Sequence, residues 1–214
     1  KEFRKIAMEM SMVNSFDEWA EFYRKLVYWE IELENIEDQN LIQILESQKA
    51  EANLQFGKFI ERNYEDWFDE KADKPILSHK LFGEFVAPEI RKKDKPVLFI
   101  VIDNLRLDQW KIFESIIYNH YKPEKEVNYY SILPTATQYA RNAIFSGLLP
   151  LEMEKKFPQY WKNDTEEGGK NLHEADFLNE QLKRLGLNIK SEYFKITNLR
   201  DGKKLVDNFK SCKN

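Results

Sequence analysis

An acidic residue stands where an apolar stretch of the sequence ends. Residues 97–110 read "VLFIVIDNLRLDQW", and their six apolar residues stop at Asp103, which a polar cluster with Asn104, Arg106 and Asp108 follows. In an open parallel sheet ligands bind beyond the carboxyl ends of the strands, so a carboxylate at such an end can hold a metal ion. Asp is also a good N-cap for a following helix. Both interpretations of Asp103 stay open on these residues alone.

A pair of threonines occupies a second strand-to-helix junction. In "SILPTATQYARNAIFSGLLP", residues 131–150, a predicted strand ends at Pro134, Thr135 and Thr137 follow, and a helix then begins. Either hydroxyl can serve as an N-cap. The positive end of a helix also favours a phosphate, so a nucleophilic threonine there would meet a stabilised anion. A threonine hydroxyl needs a base or a metal to activate it, and Asp103 on a neighbouring strand could hold that metal.

The elements that would position these residues alternate between strand and helix. "KPVLFIVID" lacks the alternation of a half-exposed strand and predicts a strand covered on both faces. A helix, a strand-like segment "EVNYYSIL", a second helix "TQYARNAIFSGLL" and a third helix ending at Gly186 follow, with a last strand beyond it. This order predicts an α/β sandwich over residues 96–214.

The pattern of the first 90 residues is helical. Ser15 and Glu18 have the spacing of a capping box, and an apolar seam recurs at steps of three and four through Trp19, Phe22, Leu26, Trp29, Leu33 and Ile36. "NLIQILESQKAEANLQFGKFIERNY" predicts a second helix and "PILSHKLFGEFVAPEI" a third, shorter one. We therefore expect a helical bundle over residues 1–90, a boundary in the charged, proline-bounded residues 87–96, and the fold class α + α/β.

The motifs "VIDNLRLDQW" and "LPTATQYARNAIFSGLLP" together resemble the PglZ domain, a branch of the alkaline phosphatase superfamily. In that superfamily an Asp at the end of the first core strand and a Thr or Ser at a later helix start both bind one ion of a zinc pair. The resemblance therefore implies that Asp103 is a metal ligand and that Thr137 is both nucleophile and ligand, with Thr135 less favoured. Arg106, Asp108, Arg141 and Asn142 lie within the same words, and we expect helix-surface or packing roles for them.

A helical bundle ahead of a PglZ domain is similar to the arrangement in PorX-type response regulators of the type IX secretion system. This resemblance implies that the chain is the linker bundle plus the N-terminal part of the effector, without the receiver domain and the C-terminal half of the effector. It implies a phosphoester substrate, with oligonucleotides or cyclic nucleotides to be tried first. The partners it implies are the receiver domain of the same protein, the secretion machinery or a sigma factor, and a second copy of the chain.

The zinc site that the resemblance implies is incomplete in this sequence. The superfamily completes its two-zinc site with an Asp-x-x-x-His motif and a later Asp-His pair. Neither motif includes any of the three histidines of this sequence, His79, His120 and His173. One carboxylate and one hydroxyl fall short of the three or four protein ligands of a zinc site. We expect this polypeptide alone to bind zinc weakly and to be inactive, and the three histidines to have structural or solvent-exposed roles.

Composition narrows the class of protein. The chain is 42% hydrophobic and 33% charged, which indicates a globular protein with a strongly solvated surface. Its longest apolar run has six residues against the roughly 20 that span a bilayer, so we expect no membrane insertion. Cys212 is the only cysteine, which excludes an internal disulfide and fits the cytoplasm. Residues 1–95 carry 15 basic and 21 acidic side chains, net −6, which disfavours a helical transcription factor.

Two functions remain open at this stage. The first is a signalling effector with zinc-dependent phosphodiesterase or phosphatase chemistry in the complete protein. The second is a non-catalytic regulatory or dimerisation scaffold with a vestigial phosphatase fold, in which leftover apolar surface joins two copies.

Overall fold

The computed structural model describes residues 2–34, 36, 38–92 and 95–211, so Cys212 lies outside the described residues. The chain forms two compact units, Lys1–Leu77 with Ile100–Tyr130, and Ser78–Phe99 with Ser131–Asn214. The α-helices of the described residues are α1 (Glu2–Met10), α2 (Phe16–Leu33), α3 (Gln39–Asn63), α4 (Ala87–Lys92), α5 (Leu107–Ile117), α6 (Thr137–Ser146), α7 (Pro150–Lys156), α8 (Glu174–Arg184) and α9 (Leu199–Ser211).

Helix α2 begins at the predicted capping box. The Ser15 hydroxyl accepts a hydrogen bond from the Glu18 amide (3.3 Å), and the Glu18 carboxylate accepts one from the Ser15 amide (3.0 Å). The backbone amides of Asn14 and Ser15, which both donate to the Glu18 carboxylate, hold the pKa of Glu18 below its usual value. Four residues of the predicted seam are buried, namely Trp19, Phe22, Leu26 and Leu33. Ile36 lies past the helix end and is 43% exposed, so its assignment to the seam was wrong.

Helix α3 supplies the opposite wall of the first unit. Asp38 caps it by accepting hydrogen bonds from the amides of Asn40 (3.0 Å) and Leu41 (3.3 Å), and α3 then packs against α1 and α2. Its buried residues are Leu45, Ala52 and Phe59, which recur at steps of seven and so share one face of the helix. The ring of Trp19 lies 5.4 Å from that of Phe56, which joins the apolar faces of α2 and α3.

Residues 100–130 are part of the same unit as α1, α2 and α3. Helix α5 packs against α2, and the Arg24 guanidinium of α2 binds the carboxylate of Glu126 and the side-chain oxygen of Asn128. The Tyr130 hydroxyl donates a hydrogen bond to the Phe16 carbonyl (2.7 Å). Its ring lies 5.1 Å from that of Trp67, so this segment closes one end of the helical core.

The third predicted helix is irregular and belongs to the second unit. It consists of a 3₁₀ turn at Ser78–Lys80, a π turn at Phe82–Val86 and the short α4. Pro88 has no N–H to donate back to the residue four before it, which accounts for the wider turn just ahead of α4. The side chains of this segment nevertheless form a core with α8 and with a residue three positions past its end. The cluster consists of Phe82, Val86, Ala87, Leu182 and Leu187.

The segments predicted as strands run without a ladder of strand hydrogen bonds. Among the described residues the backbone pairing is an isolated parallel bridge between Leu77 and Tyr130. Leu98 is 62% exposed and Ile100 is 66% exposed, so the prediction that residues 97–102 form a strand covered on both faces was wrong for this structure. An apolar run shows that a segment is suited to a covered strand, but the hydrogen bonds that fix it come from neighbouring strands, which the run does not encode.

None of the described helices combines the length and the apolar character that a membrane crossing requires.

Candidate functional site

Asp103 lies in a turn between the extended residues 95–102 and helix α5. The next residue, Asn104, adopts a left-handed backbone conformation with a φ of 60°, which Asn tolerates better than most residues. The N-cap of α5 is Arg106, three residues further on, whose amide donates to the Gln109 side chain (3.1 Å). Asp103 therefore does not cap α5, and the capping interpretation was wrong.

The carboxylate of Asp103 is close enough to Tyr129 of the same unit to affect its titration. Burial raises the pKa of the Tyr129 hydroxyl, and the negative charge of Asp103 raises it further. The effect on the Tyr129 pKa indicates that Asp103 lies near Tyr129 within the first unit.

Two other charged residues of the motif "VIDNLRLDQW" form an ion pair. The Arg106 Nε donates to one oxygen of Asp108 (2.9 Å) and a terminal nitrogen donates to the other (2.5 Å). This bidentate pair holds the pKa of Asp108 at about 2. The two side chains thus form an ion pair at the start of α5, where Arg106 is exposed and Asp108 is partly buried.

Thr137 is the first residue of α6, and the residue that caps this helix is Ala136. The Ala136 carbonyl accepts hydrogen bonds from the amides of Tyr139 (2.9 Å) and Ala140 (3.0 Å). Neither threonine is the N-cap, so the capping interpretation of Thr135 and Thr137 was wrong. Thr135 is exposed, whereas Thr137 is partly buried at the positive end of the helix.

Side-chain amides connect this helix start to the loop before α8. Asn142 is 1% exposed, and its amide donates to the Lys170 carbonyl (3.1 Å). Asn171 donates to the Asn142 side-chain oxygen (3.0 Å) and to the Thr137 carbonyl (3.2 Å). The predicted packing role of Asn142 is therefore confirmed, and Asn171 is a further residue of this environment.

A buried carboxylate lies at the first turn of α8. Glu174 is 2% exposed and binds the Arg141 guanidinium through one oxygen and the Tyr193 hydroxyl through the other. The Lys195 ammonium lies 3.7 Å from the same carboxylate. Burial and the Glu174 carboxylate strongly raise the pKa of Tyr193, because both disfavour a second negative charge. Arg141 thus has the packing role that was expected of it.

Sequence patterns missed both Asn171 and Glu174. Each stands in the polar run "KNLHEADF", where a buried amide and a buried carboxylate look the same as solvated ones. The spacing of Arg141 and Glu174 in the sequence does not reveal a pair either, because their contact depends on how α6 and α8 pack.

The histidines of the second unit make contacts typical of structural residues. His173 binds Asp176 on the same helix (2.8 Å) and stacks on Tyr160, with 5.3 Å between ring centres. His79 is partly buried within a 3₁₀ turn of the same unit, whereas His120 belongs to the first unit and is exposed.

Zinc would need three or four ligands, or three ligands and a water. Across residues 2–34, 36, 38–92 and 95–211, no three His, Cys, Asp or Glu side chains lie together as a metal site would require. Asp103 belongs to the first compact unit and Thr137 to the second. The described residues do not by themselves form a zinc site.

A cavity of about 880 Å³ lies in the first unit, away from both candidate residues. It is lined by α1, the start of α2 and α3, and neither Asp103 nor Thr137 contributes to it. The cavity therefore adds nothing to the candidate site.

Comparison with known families places both halves of the chain. The PorX response regulator linker domain matches residues 1–68, and the BREX system PglZ alkaline phosphatase-like domain matches residues 81–212. The search of curated proteins gives no match. The predicted resemblance and the predicted class, a helical region followed by part of an alkaline phosphatase-like domain, are thereby confirmed. Since the second match covers more than half of the residues, the chain belongs to the PglZ family of alkaline phosphatase-like domains, preceded by a PorX-type linker domain.

Proposed function

We propose that this chain is the linker and the first part of the effector of a two-component response regulator. The regulator would lie in the cytoplasm and control type IX secretion. The observation that carries the proposal is the order of the two family matches, a PorX linker domain followed by a PglZ domain. In this proposal residues 1–90 are the linker and residues 96–214 the N-terminal part of the effector. The linker would receive its signal from a receiver domain of the same protein and pass it to the secretion machinery or to a sigma factor.

The chemistry we assign to the complete protein is hydrolysis of phosphoesters, with phosphodiester nucleotides as the first substrates to test. Thr137 would be the nucleophile and a metal ligand, and Asp103 a metal ligand. The superfamily is metal-dependent, and we propose two zinc ions whose other ligands lie outside the described residues. The position of Thr137 supports its role, because the positive end of α6 would stabilise the charge on a phosphoryl group bound there.

The test uses the complete protein and two matched threonine variants. Thr137→Val removes the hydroxyl at the first residue of α6, whereas Thr135→Val removes an exposed hydroxyl two residues earlier. We expect Thr137→Val to lower kcat on a cyclic dinucleotide by at least about a hundredfold, as loss of a nucleophile does, and Thr135→Val to leave it within about twofold. Equal turnover of wild type and Thr137→Val would refute the enzyme proposal.

The zinc content of an Asp103→Asn protein tests the second residue. Asn keeps the size of the side chain and removes the negative charge, so zinc per chain measured by mass spectrometry should fall below the wild-type value. A variant with the wild-type zinc content would refute the role assigned to Asp103.

The second candidate function is a regulatory or dimerisation scaffold. It is favoured by the packing of residues 100–130, which fall within the PglZ match, onto the helices of the linker match. Contacts such as Arg24 with Glu126 could couple the two domains without any catalysis. Secretion that is unchanged in cells carrying Thr137→Val would favour this function, as would a dimer in light scattering that persists in that variant.

A further inference from the structure

The N-cap residue of α6 donates or accepts no side-chain hydrogen bond. Ala136, its N-cap, has a methyl group in place of the hydroxyl, amide or carboxylate oxygen that usually accepts a hydrogen bond from the first turn. Thr137 stands directly after it. Contacts from elsewhere in the second unit add to the hydrogen bonds that fix this first turn.

A loop supplies those contacts through three successive residues of the helix. Asn171, at the end of the loop, donates to the carbonyl of Thr137 (3.2 Å). The Asp164 carboxylate, near the beginning of the loop, accepts from the Gln138 side chain and from the Tyr139 hydroxyl (2.6 Å). The loop thus binds the first turn of α6 from both of its ends.

A buried side chain strengthens the bond made by Asn171. Asn142 lies one turn further along α6 at 1% exposure, accepts from the same Asn171 amide (3.0 Å), and donates to the Lys170 carbonyl (3.1 Å). Water has little access to compete for these bonds, and bonds in a shared network reinforce each other. The amide of Asn171 is in this way held between two oxygens of α6.

The loop is itself braced by hydrogen bonds to its own backbone. The Lys170 ammonium donates to the carbonyls of Asn163 (2.6 Å) and Glu166, and the Lys162 ammonium donates to that of Glu167 (3.0 Å). Gly168 has a φ of +92°, which favours glycine at this turn. A braced loop can hold a helix terminus in place, whereas an unbraced one would follow its movements.

From these contacts we infer that Asn171 is a positioning residue for Thr137, through which the loop 163–171 fixes the first turn of α6. Asn171 binds the Thr137 backbone, so it acts on the hydroxyl only through the orientation of that residue. The catalytic consequence rests on the proposed function, whereas the fastening of the turn does not. A hydroxyl displaced by about 1 Å can slow a reaction on the order of a hundredfold without changing substrate affinity.

The experiment measures the fastening and its consequence separately in the complete protein. Asn171→Ala removes both hydrogen bonds, and Asn171→Asp keeps the shape but faces the two oxygens of α6 with an acceptor instead of a donor. The control is Asn179→Ala, which removes an exposed asparagine of α8 that binds the Ser191 hydroxyl (3.0 Å). Hydrogen exchange of the peptide covering α6 reports the fastening, and kcat and KM on a cyclic dinucleotide report the consequence.

We expect the first-turn amides to exchange faster in both Asn171 variants and kcat to fall about tenfold to a hundredfold, with KM and zinc content within about twofold of wild type. Exchange rates equal to those of Asn179→Ala would overturn the inference whether or not turnover is seen. Faster exchange with unchanged kcat in an active protein would overturn the positioning role. If the Asn171 variants exchange faster and the wild-type protein itself shows no turnover, the fastening is supported and the proposed function is refuted.

The double variant Asn142→Ala with Asn171→Ala adds an internal check. Because the two side chains share a hydrogen bond, the second substitution should add little to the exchange rate produced by the first. Fully additive effects would overturn the shared network.

Discussion

Replacing Glu174 by Ala should cost the second unit a large part of its stability. The substitution leaves the Arg141 guanidinium and the Tyr193 hydroxyl without their carboxylate, in a site where the Glu174 side chain is 2% exposed and that of Arg141 is 17% exposed. Removing one partner of a buried ion pair typically lowers the free energy of unfolding by about 3 to 5 kcal/mol. Arg141 retains some access to water, so we expect the lower end, about 3 kcal/mol.

The matched control for this prediction is Glu180→Ala on the same helix. Glu180 binds Lys183 on the surface, where the lysine side chain is 68% exposed, and an exposed pair contributes about 0 to 1 kcal/mol. Urea unfolding followed by circular dichroism, with hydrogen exchange of α6 and α8 to assign the transition to the second unit, measures the difference between the two variants. A loss for Glu174→Ala below about 1 kcal/mol, or one equal to that of Glu180→Ala, would refute the conclusion that this carboxylate stabilises the unit.

Three further predictions concern single contacts. Arg106 lowers the pKa of Asp108 to about 2, so the pair stabilises the fold at pH values above the ordinary carboxyl pKa of about 4. This contribution disappears as the pH falls towards 2. Asp108→Asn should therefore flatten the stability curve between about pH 4 and 2 when stability is measured by urea unfolding. Gly147→Ala should lower the melting temperature, because the φ of +63° is strained for alanine and the new Cβ would collide with the Gln181 side chain of α8. Gly57→Ala should raise the melting temperature, because Gly57 lies in open space within α3. Each change should correspond to about 1 kcal/mol. Tyr130→Phe should lower the free energy of unfolding by about 1 kcal/mol, since it removes the bond to the carbonyl at the start of α2, and a value near zero in urea unfolding would contradict that bond.

The helices could be predicted from the sequence because their signals are local. Ser15 and Glu18 encode a capping box within four residues, and the bonds that they make confirm it. Gly186 was predicted to end α8 and has a left-handed φ of 67° just beyond it. The words that carry the family resemblance are also local, which is why the PglZ match could be anticipated.

The contacts that depend on distant segments could not be predicted. The pairing of residues 97–102 requires other strands, and their apolar character alone gave a wrong expectation of burial. The same limitation hid Asn171, whose partners lie 29 and 34 residues away. Asp103 and Thr137 could be named from their words, but their roles stay predictions because a metal site depends on ligands that those words do not contain.

The placement of Tyr130 has a practical consequence for genetics. Its ring covers Trp67 and Phe56 of the helical unit, yet it lies inside the PglZ match, more than 60 residues past the end of the linker match. A deletion that removes the phosphatase-like half cleanly at the family boundary would leave those two aromatic rings open to water. The phenotype of such a truncated strain would then report a damaged linker as well as a missing effector, so point substitutions at Thr137 are the safer way to separate signalling from catalysis.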